Sequence, residues 1–78
     1  MKMLPLRSKQ LVAIGYDTAS LRLVVQFDAD AYYSYDAVPP EVVTSILFSD
    51  SHGRTFTTLV KRGGFTYQRI TAEEAYGR

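Results

Sequence analysis

The chain predicts an α+β fold: a three-stranded antiparallel meander followed by two short helices and a C-terminal strand, in the order β-β-β-α-α-β. Three observations carry that expectation. Leu21, Leu23, Val25 and Phe27 recur at period two, with Arg22, Val24 and Gln26 on the opposite face. Turn-forming stretches, Asp17-Thr18-Ala19-Ser20 and Asp28-Ala29-Asp30-Ala31, bracket that run. Then Pro39-Pro40-Glu41 switches the pattern to a helical one. Turns this short force antiparallel pairing, because parallel neighbours need crossovers of about a dozen residues or more. The helices are expected to cover one face of the sheet.

Each element has its own warrant. Residues 1–10 show no clear period and contain Pro5, and read as an N-terminal arm. The domain itself is expected over 11–70. Val12, Ile14 and Tyr16 alternate with Ala13 and Gly15, as a half-buried strand does. In the third strand Tyr33, Tyr35 and Ala37 share one face, and Tyr32, Ser34 and Asp36 share the other. Prolines suit a helix entry, and Glu41 in the first turn complements the helix dipole. Val42, Val43, Ile46 and Leu47 form one apolar stripe of that helix, which should end around Phe48 to Asp50. Asp50 or Ser51 supplies an N-cap for a second helix, in which Phe56, Leu59 and Val60 fall at helical spacing. Thr55, Thr57 and Thr58 oppose that helix by propensity. Gly63-Gly64 offers a left-handed stop. Phe65 to Ile70 reads as the last strand, and residues 71–78 as a polar tail.

Composition bounds what such a domain can be. With 78 residues, roughly 60% of the unfolded chain's surface is hidden on folding, enough for one core. There are no cysteines, which excludes disulfides, thiolate metal sites and cysteine nucleophiles. Hydrophobic residues make up 46% of the chain, too many for a disordered one. The longest apolar runs span three or four residues, far short of a membrane span of about 20. No apolar signal region opens the chain, so a cytoplasmic protein without membrane contact is expected. Stability must come from packing, with homo-oligomer formation as one way to add to it.

The net charge of +1 hides a segregated pattern. Lys2, Arg7 and Lys9 make the start basic. Asp17, Asp28, Asp30, Asp36, Glu41 and Asp50 against Arg22 make the middle acidic. From 51 to 70, Arg54, Lys61, Arg62 and Arg69 stand with no acid among them. Segregation of this kind can steer a charged partner even when the total is near zero.

Several short strings occur together in a recognisable order: Ile14-Gly15-Tyr16-Asp17, Leu23 to Phe27, Tyr33-Ser34-Tyr35, Val38-Pro39, Ser51-His52-Gly53 and Phe56. The chain resembles the KTSC domain, which occurs at the C-terminus of some lysyl-tRNA synthetases and also as a stand-alone bacterial or phage protein. The resemblance runs from about Leu11 to Ile70. Asp30 stands where the family often carries Gly, and Asp tolerates a left-handed turn. Thr57 stands where the family often carries Asn, so no amide is offered there. The resemblance implies no established activity; its synthetase context implies RNA or tRNA as a partner.

Catalysis has little to work with. His52 is the sole histidine. Asp50-Ser51-His52 contains the residue types of a hydrolytic triad, but adjacent residues do not face one another as triad members must. No metal-ligand spacing and no phosphate-loop motif is present. A non-enzymatic protein without cofactors is expected. The candidate ligand-binding residues are Tyr32, Tyr33 and Tyr35, whose rings offer a stacking platform, and Ser51, His52, Gly53, Arg54, Lys61, Arg62 and Arg69, a helix entry followed by a basic segment. Tyr32 is the ring expected at the surface if Tyr33 and Tyr35 face the core. Against the platform stands core filling by Tyr33 and Tyr35 beneath the helices. Two functions therefore stay open: a module binding RNA or another phosphate-bearing ligand, and a module docking on a host protein, as small phage or prophage proteins do.

Overall fold

Between Leu11 and Ala13 the first long strand carries a β-bulge, and that irregularity decides which face Leu11 takes. In the computed structural model, which describes residues 3–6, 11–27 and 31–76, Leu11 pairs with Phe27 while Ala13 pairs with Gln26. The extra residue turns Leu11 and Ile14, three positions apart, toward the same hydrophobic cluster. Simple alternation from Val12 therefore assigns Ile14 and Tyr16 correctly and misses Leu11.

The elements run β1 (Leu4–Pro5), β2 (Leu11–Asp17), β3 (Arg22–Phe27), β4 (Ala31–Tyr35), α1 (Pro40–Leu47), α2 (His52–Leu59), a 3₁₀ turn (Lys61–Gly63), β5 (Tyr67–Ile70) and α3 (Ala72–Ala75). The α+β class and the antiparallel meander stand; the strand count before the helices is four rather than three. All five strands form one antiparallel sheet in sequence order. The added strand lies in the segment read as an arm, where Leu4 pairs with Ile14 and Pro5 with Ala13. Pro5 discouraged that assignment, yet an edge strand can hold proline because one side of it needs no ladder donor. The rest of residues 1–10, apart from Met3 and Leu6, lies outside the described residues.

The β2–β3 connection uses the predicted turn chemistry: the Asp17 carboxylate accepts a hydrogen bond from the Ala19 amide at 3.0 Å. Leu21 closes the turn with φ 56°, so it is a turn residue and 36% exposed, not the first residue of the period-two stripe.

One face of the sheet is covered by α1 and α2. Its core holds Leu11, Ile14, Leu23, Val25, Tyr35, Val38, Val43, Ile46, Phe56 and Val60. Pro39 occupies the N-cap of α1, and Val43 and Ile46 are its buried residues. The threonines of α2 are accommodated individually: the Thr57 hydroxyl donates to the Gly53 carbonyl at 2.9 Å, and Thr55 meets the Ser49 hydroxyl. Burial of Phe56, 1% exposed, then outweighs their weak helix propensity. Ser51 is the N-cap, but its side chain makes no capping bond; the Ser49 hydroxyl accepts from the Ser51 amide instead, at 3.0 Å. Gly64, at φ 77°, ends the 3₁₀ turn in the left-handed region rather than ending α2 itself.

The sequence predicts helices on one face only; the opposite face is covered too. It carries a second cluster of Val24, Tyr32, Ile70 and Ala75, with Met3 against it. The segment read as a polar tail supplies the cover. Thr71 and Glu74 form a capping box that starts α3, and Ala75 is fully buried. Tyr76 then packs edge-on to Tyr32 at 6.0 Å, and its hydroxyl reaches Gln26 at 3.5 Å.

A candidate aromatic groove

Period-two alternation in β4 sends Tyr33 and Tyr35 to the helix-covered face and Tyr32 to the other. Tyr32 is therefore not the exposed ring; it is 5% exposed, because Ile70, Ala75 and Tyr76 close over it. Tyr35 is buried and Tyr33 half-buried. Core filling accounts for Tyr35, which packs edge-on to Phe56 at 5.5 Å; Tyr33 and Tyr35 also line an open groove.

That groove has a volume of about 580 Å³ and is lined by Phe27, Ala31, Tyr33, Tyr35, Lys61, Phe65 and Tyr67. Its most prominent member is Tyr67, on the edge strand β5 and 62% exposed. Tyr67 pairs across the ladder with Tyr35, and their rings stack at 5.4 Å with 28° between planes. One face of the Tyr67 ring is thus backed by a buried ring. Tyr33 meets Tyr67 at 6.3 Å and Phe27 at 5.8 Å, both edge-on. Aromatic pairs in these offset and edge-on arrangements hold one another's orientation.

Positive charge is placed at the groove by the backbone. Val60 ends α2, the 3₁₀ turn follows, and Lys61 is carried over the Phe27 ring with Nζ at 5.4 Å from the centroid. Arg69 pairs with Tyr33, so its exposed side chain shares the face of Tyr33 and Tyr67. Arg62 is exposed in the same 3₁₀ turn as Lys61. Burial, followed by the neighbouring Tyr67 and Tyr33, raises the Tyr35 hydroxyl above its usual range, which keeps it a neutral donor.

Of the residues singled out from sequence, Tyr33, Tyr35 and Lys61 line the groove, Arg69 shares its face, and Arg62 sits beside Lys61. Ser51, His52, Gly53 and Arg54 do not line it. They form the entry of α2, with Gly53 buried, His52 half-buried, and Ser51 and Arg54 exposed. Among the described residues, no group of three His, Asp or Glu side chains is placed to hold a metal ion. Sequence reasoning missed Phe27, Phe65 and Tyr67. The signal for Tyr67 was the alternation of Phe65, Tyr67 and Arg69 in the last strand, which sends Tyr67 and Arg69 to one face.

A second, smaller recess of about 170 Å³ lies near the other edge of the sheet, between Leu4, Ile14, Gly15, Tyr16, Val43 and Leu47. Phe48, just past α1, is 85% exposed. No helix among the described residues is long and apolar enough to cross a membrane.

Comparison with known proteins adds to this geometry. The KTSC domain family model matches residues 7–65. An uncharacterized protein of Stutzerimonas stutzeri is 44% identical over 70 residues, covering 90% of this chain and 99% of that protein. A protein of Tsukamurella paurometabola is 41% identical over 59 residues, covering 76% and 88% respectively. The crystal structure of a KTSC domain protein from Yersinia pestis superposes with a TM-score of 0.82 at 30% identity, covering 88% of this chain and 96% of that one.

Proposed function

The chain belongs to the KTSC domain family, and from that premise we propose that it is a small non-catalytic module that binds RNA through the aromatic groove. One observation carries this reading: an exposed Tyr67 ring, backed by Tyr35, lines one groove with Lys61 and stands on the same face as Arg69. An unstacked base gains roughly 1–3 kcal/mol by lying on such a ring. The cations are set to meet the phosphates on either side of it. Among the described residues, none that lines the groove is a carboxylate.

Titration with tRNA and with single-stranded RNA at two salt concentrations tests the proposal. Binding that weakens as salt rises supports it; absence of salt-dependent binding at micromolar protein overturns it.

A separate patch favours a second function, docking on a protein. Leu4 and Phe48 are exposed, and Leu4 and Leu47 line the smaller recess. Pull-down from cell lysate before and after nuclease treatment separates the two: a protein partner that survives nuclease supports docking.

A further inference from the structure

We infer that the groove accepts unpaired nucleotides of either sugar and any base, and rejects paired ones; this rests on the nucleic-acid reading just given. The inference comes from which polar groups the groove contains. The side chains of its described lining that carry polar groups are Tyr33, Tyr35 and Tyr67, with hydroxyls, and Lys61, with an ammonium. A phenolic hydroxyl both donates and accepts, and an ammonium presents rotatable donors. Neither matches one base edge in the way an amide matches adenine or a guanidinium matches guanine.

Recognition by ring contact has the same indifference. Every base has a π-face, so stacking on Tyr67 tolerates all of them, with purines favoured modestly by their larger rings. Stacking also leaves the ribose 2′-hydroxyl unread, and that group is what distinguishes RNA from DNA at a site. A paired base, by contrast, has both faces occupied by its neighbours in the duplex. The Tyr67 ring then has nothing to stack upon. Lys61 can still meet a duplex phosphate, but the aromatic contribution is lost.

The ammonium of Lys61 is held over the Phe27 ring before any ligand arrives. A cation parked in this way costs less ordering on binding than a free surface lysine. Arg69, exposed on Tyr33's face, provides a second phosphate contact without lining the groove.

The test is fluorescence polarisation of labelled rA, rU, dA and dT strands of about eight nucleotides, within the range one small domain covers. A blunt-ended, fully paired RNA duplex completes the set. Wild type is expected to bind the four strands within about fivefold of one another and the duplex at least about tenfold more weakly. Tyr67→Ala is expected to weaken all four strands by about tenfold, Tyr67→Leu to do the same, and Tyr67→Phe to bind as wild type does. Circular dichroism of each variant checks that the loss is not unfolding, and Tyr67→Leu keeps the bulk of the side chain. A preference above about fivefold for one sugar or one base overturns this inference and leaves RNA binding standing. So does duplex binding equal to that of the strands. Failure of wild type to bind any of the five probes overturns both.

Discussion

Tyr16 donates a hydrogen bond from its hydroxyl to the carbonyl oxygen of Val38, 22 residues further along the chain. The amide of that same Val38 donates to the carbonyl of Leu21 at 2.9 Å. Val38 is fully buried and lies immediately before Pro39, the N-cap of α1. Both polar groups of one core residue are therefore satisfied by the β2–β3 hairpin, which fixes where α1 begins. Two strings that marked the family in the sequence, Gly15-Tyr16-Asp17 and Val38-Pro39, touch through this bond.

Tyr16→Phe should cost about 1–3 kcal/mol of stability, because it leaves the Val38 carbonyl buried without a partner. Urea denaturation followed by circular dichroism would measure it. An unchanged midpoint would show that water or a shifted backbone replaces the hydroxyl.

Alkaline pH should act on the same group. Burial, followed by the carboxylates of Glu41 and Asp17, raises the Tyr16 hydroxyl above its ordinary value of 10.0. Tyr35 is raised as well, by burial first. A raised folded value means that the stabilisation is complete below about pH 10 and is lost as pH climbs through the folded values. Absorbance titration at the phenolate band should show tyrosines ionising late, and Tyr16→Phe should remove one of them.

These relationships indicate how far the sequence could be read. Period-two runs and turn residues located β2, β3 and β4, since each follows from local chemistry. Pro39-Pro40 and the Val43/Ile46 stripe located α1 for the same reason. The two ends escaped. Leu4–Pro5 is too short to show a period, and its pairing is a long-range matter decided by β2. Thr71 and Glu74 carried a capping-box signature in plain view, but Ala72-Glu73-Glu74-Ala75 has no apolar stripe to announce a buried face. Missing that cover led to Tyr32 being placed at the surface. The groove was half legible: Tyr33, Tyr35 and Lys61 came from composition, while Phe27, Phe65 and Tyr67 come together only when β5 pairs with β4.

Acid should loosen the cover over Tyr32. The Glu74 carboxylate is held below its ordinary value of 4.5 by the Thr71 amide, then by the Thr71 hydroxyl. A depressed folded value means that its contribution is present above the ordinary glutamate range and is lost as pH falls through the folded value. Glu74→Gln should retain part of the cap and flatten that acid response. Amide exchange at Ala75 and Tyr76, compared at neutral pH and below the glutamate range, is the direct readout. Equal protection in both would show that the cap does not hold α3 down.

Gly63→Ala should separate the groove from the core. A methyl group there would meet the Phe65 ring at 2.8 Å, and the ring is the movable partner. Stability should change by less than about 1 kcal/mol, while affinity for single-stranded RNA falls several-fold as Phe65 is displaced from the groove. An unaltered affinity would remove Phe65 from the binding surface.

Each phosphate contact should appear in the salt dependence. Lys61→Ala and Arg69→Ala should each lower the slope of log affinity against log salt by about 0.7. Arg54→Ala, at an exposed residue that does not line the groove, should leave the slope unchanged. If all three variants behave alike, attraction is diffuse and the groove has no fixed phosphate positions.

The sheet and its two covers have a practical consequence for anyone cutting this domain out or joining it to another protein. The family match spans 7–65, whereas the pairing of Leu4–Pro5, the whole of β5 and the α3 cap fall outside it. A fragment trimmed to the matched stretch would discard the ring at 67 and bare Val24 and Tyr32, trading a folded unit for a sticky, half-closed sheet. Fusion partners should therefore be attached beyond both ends of the sheet and its cap, and never at the edges of the recognised segment.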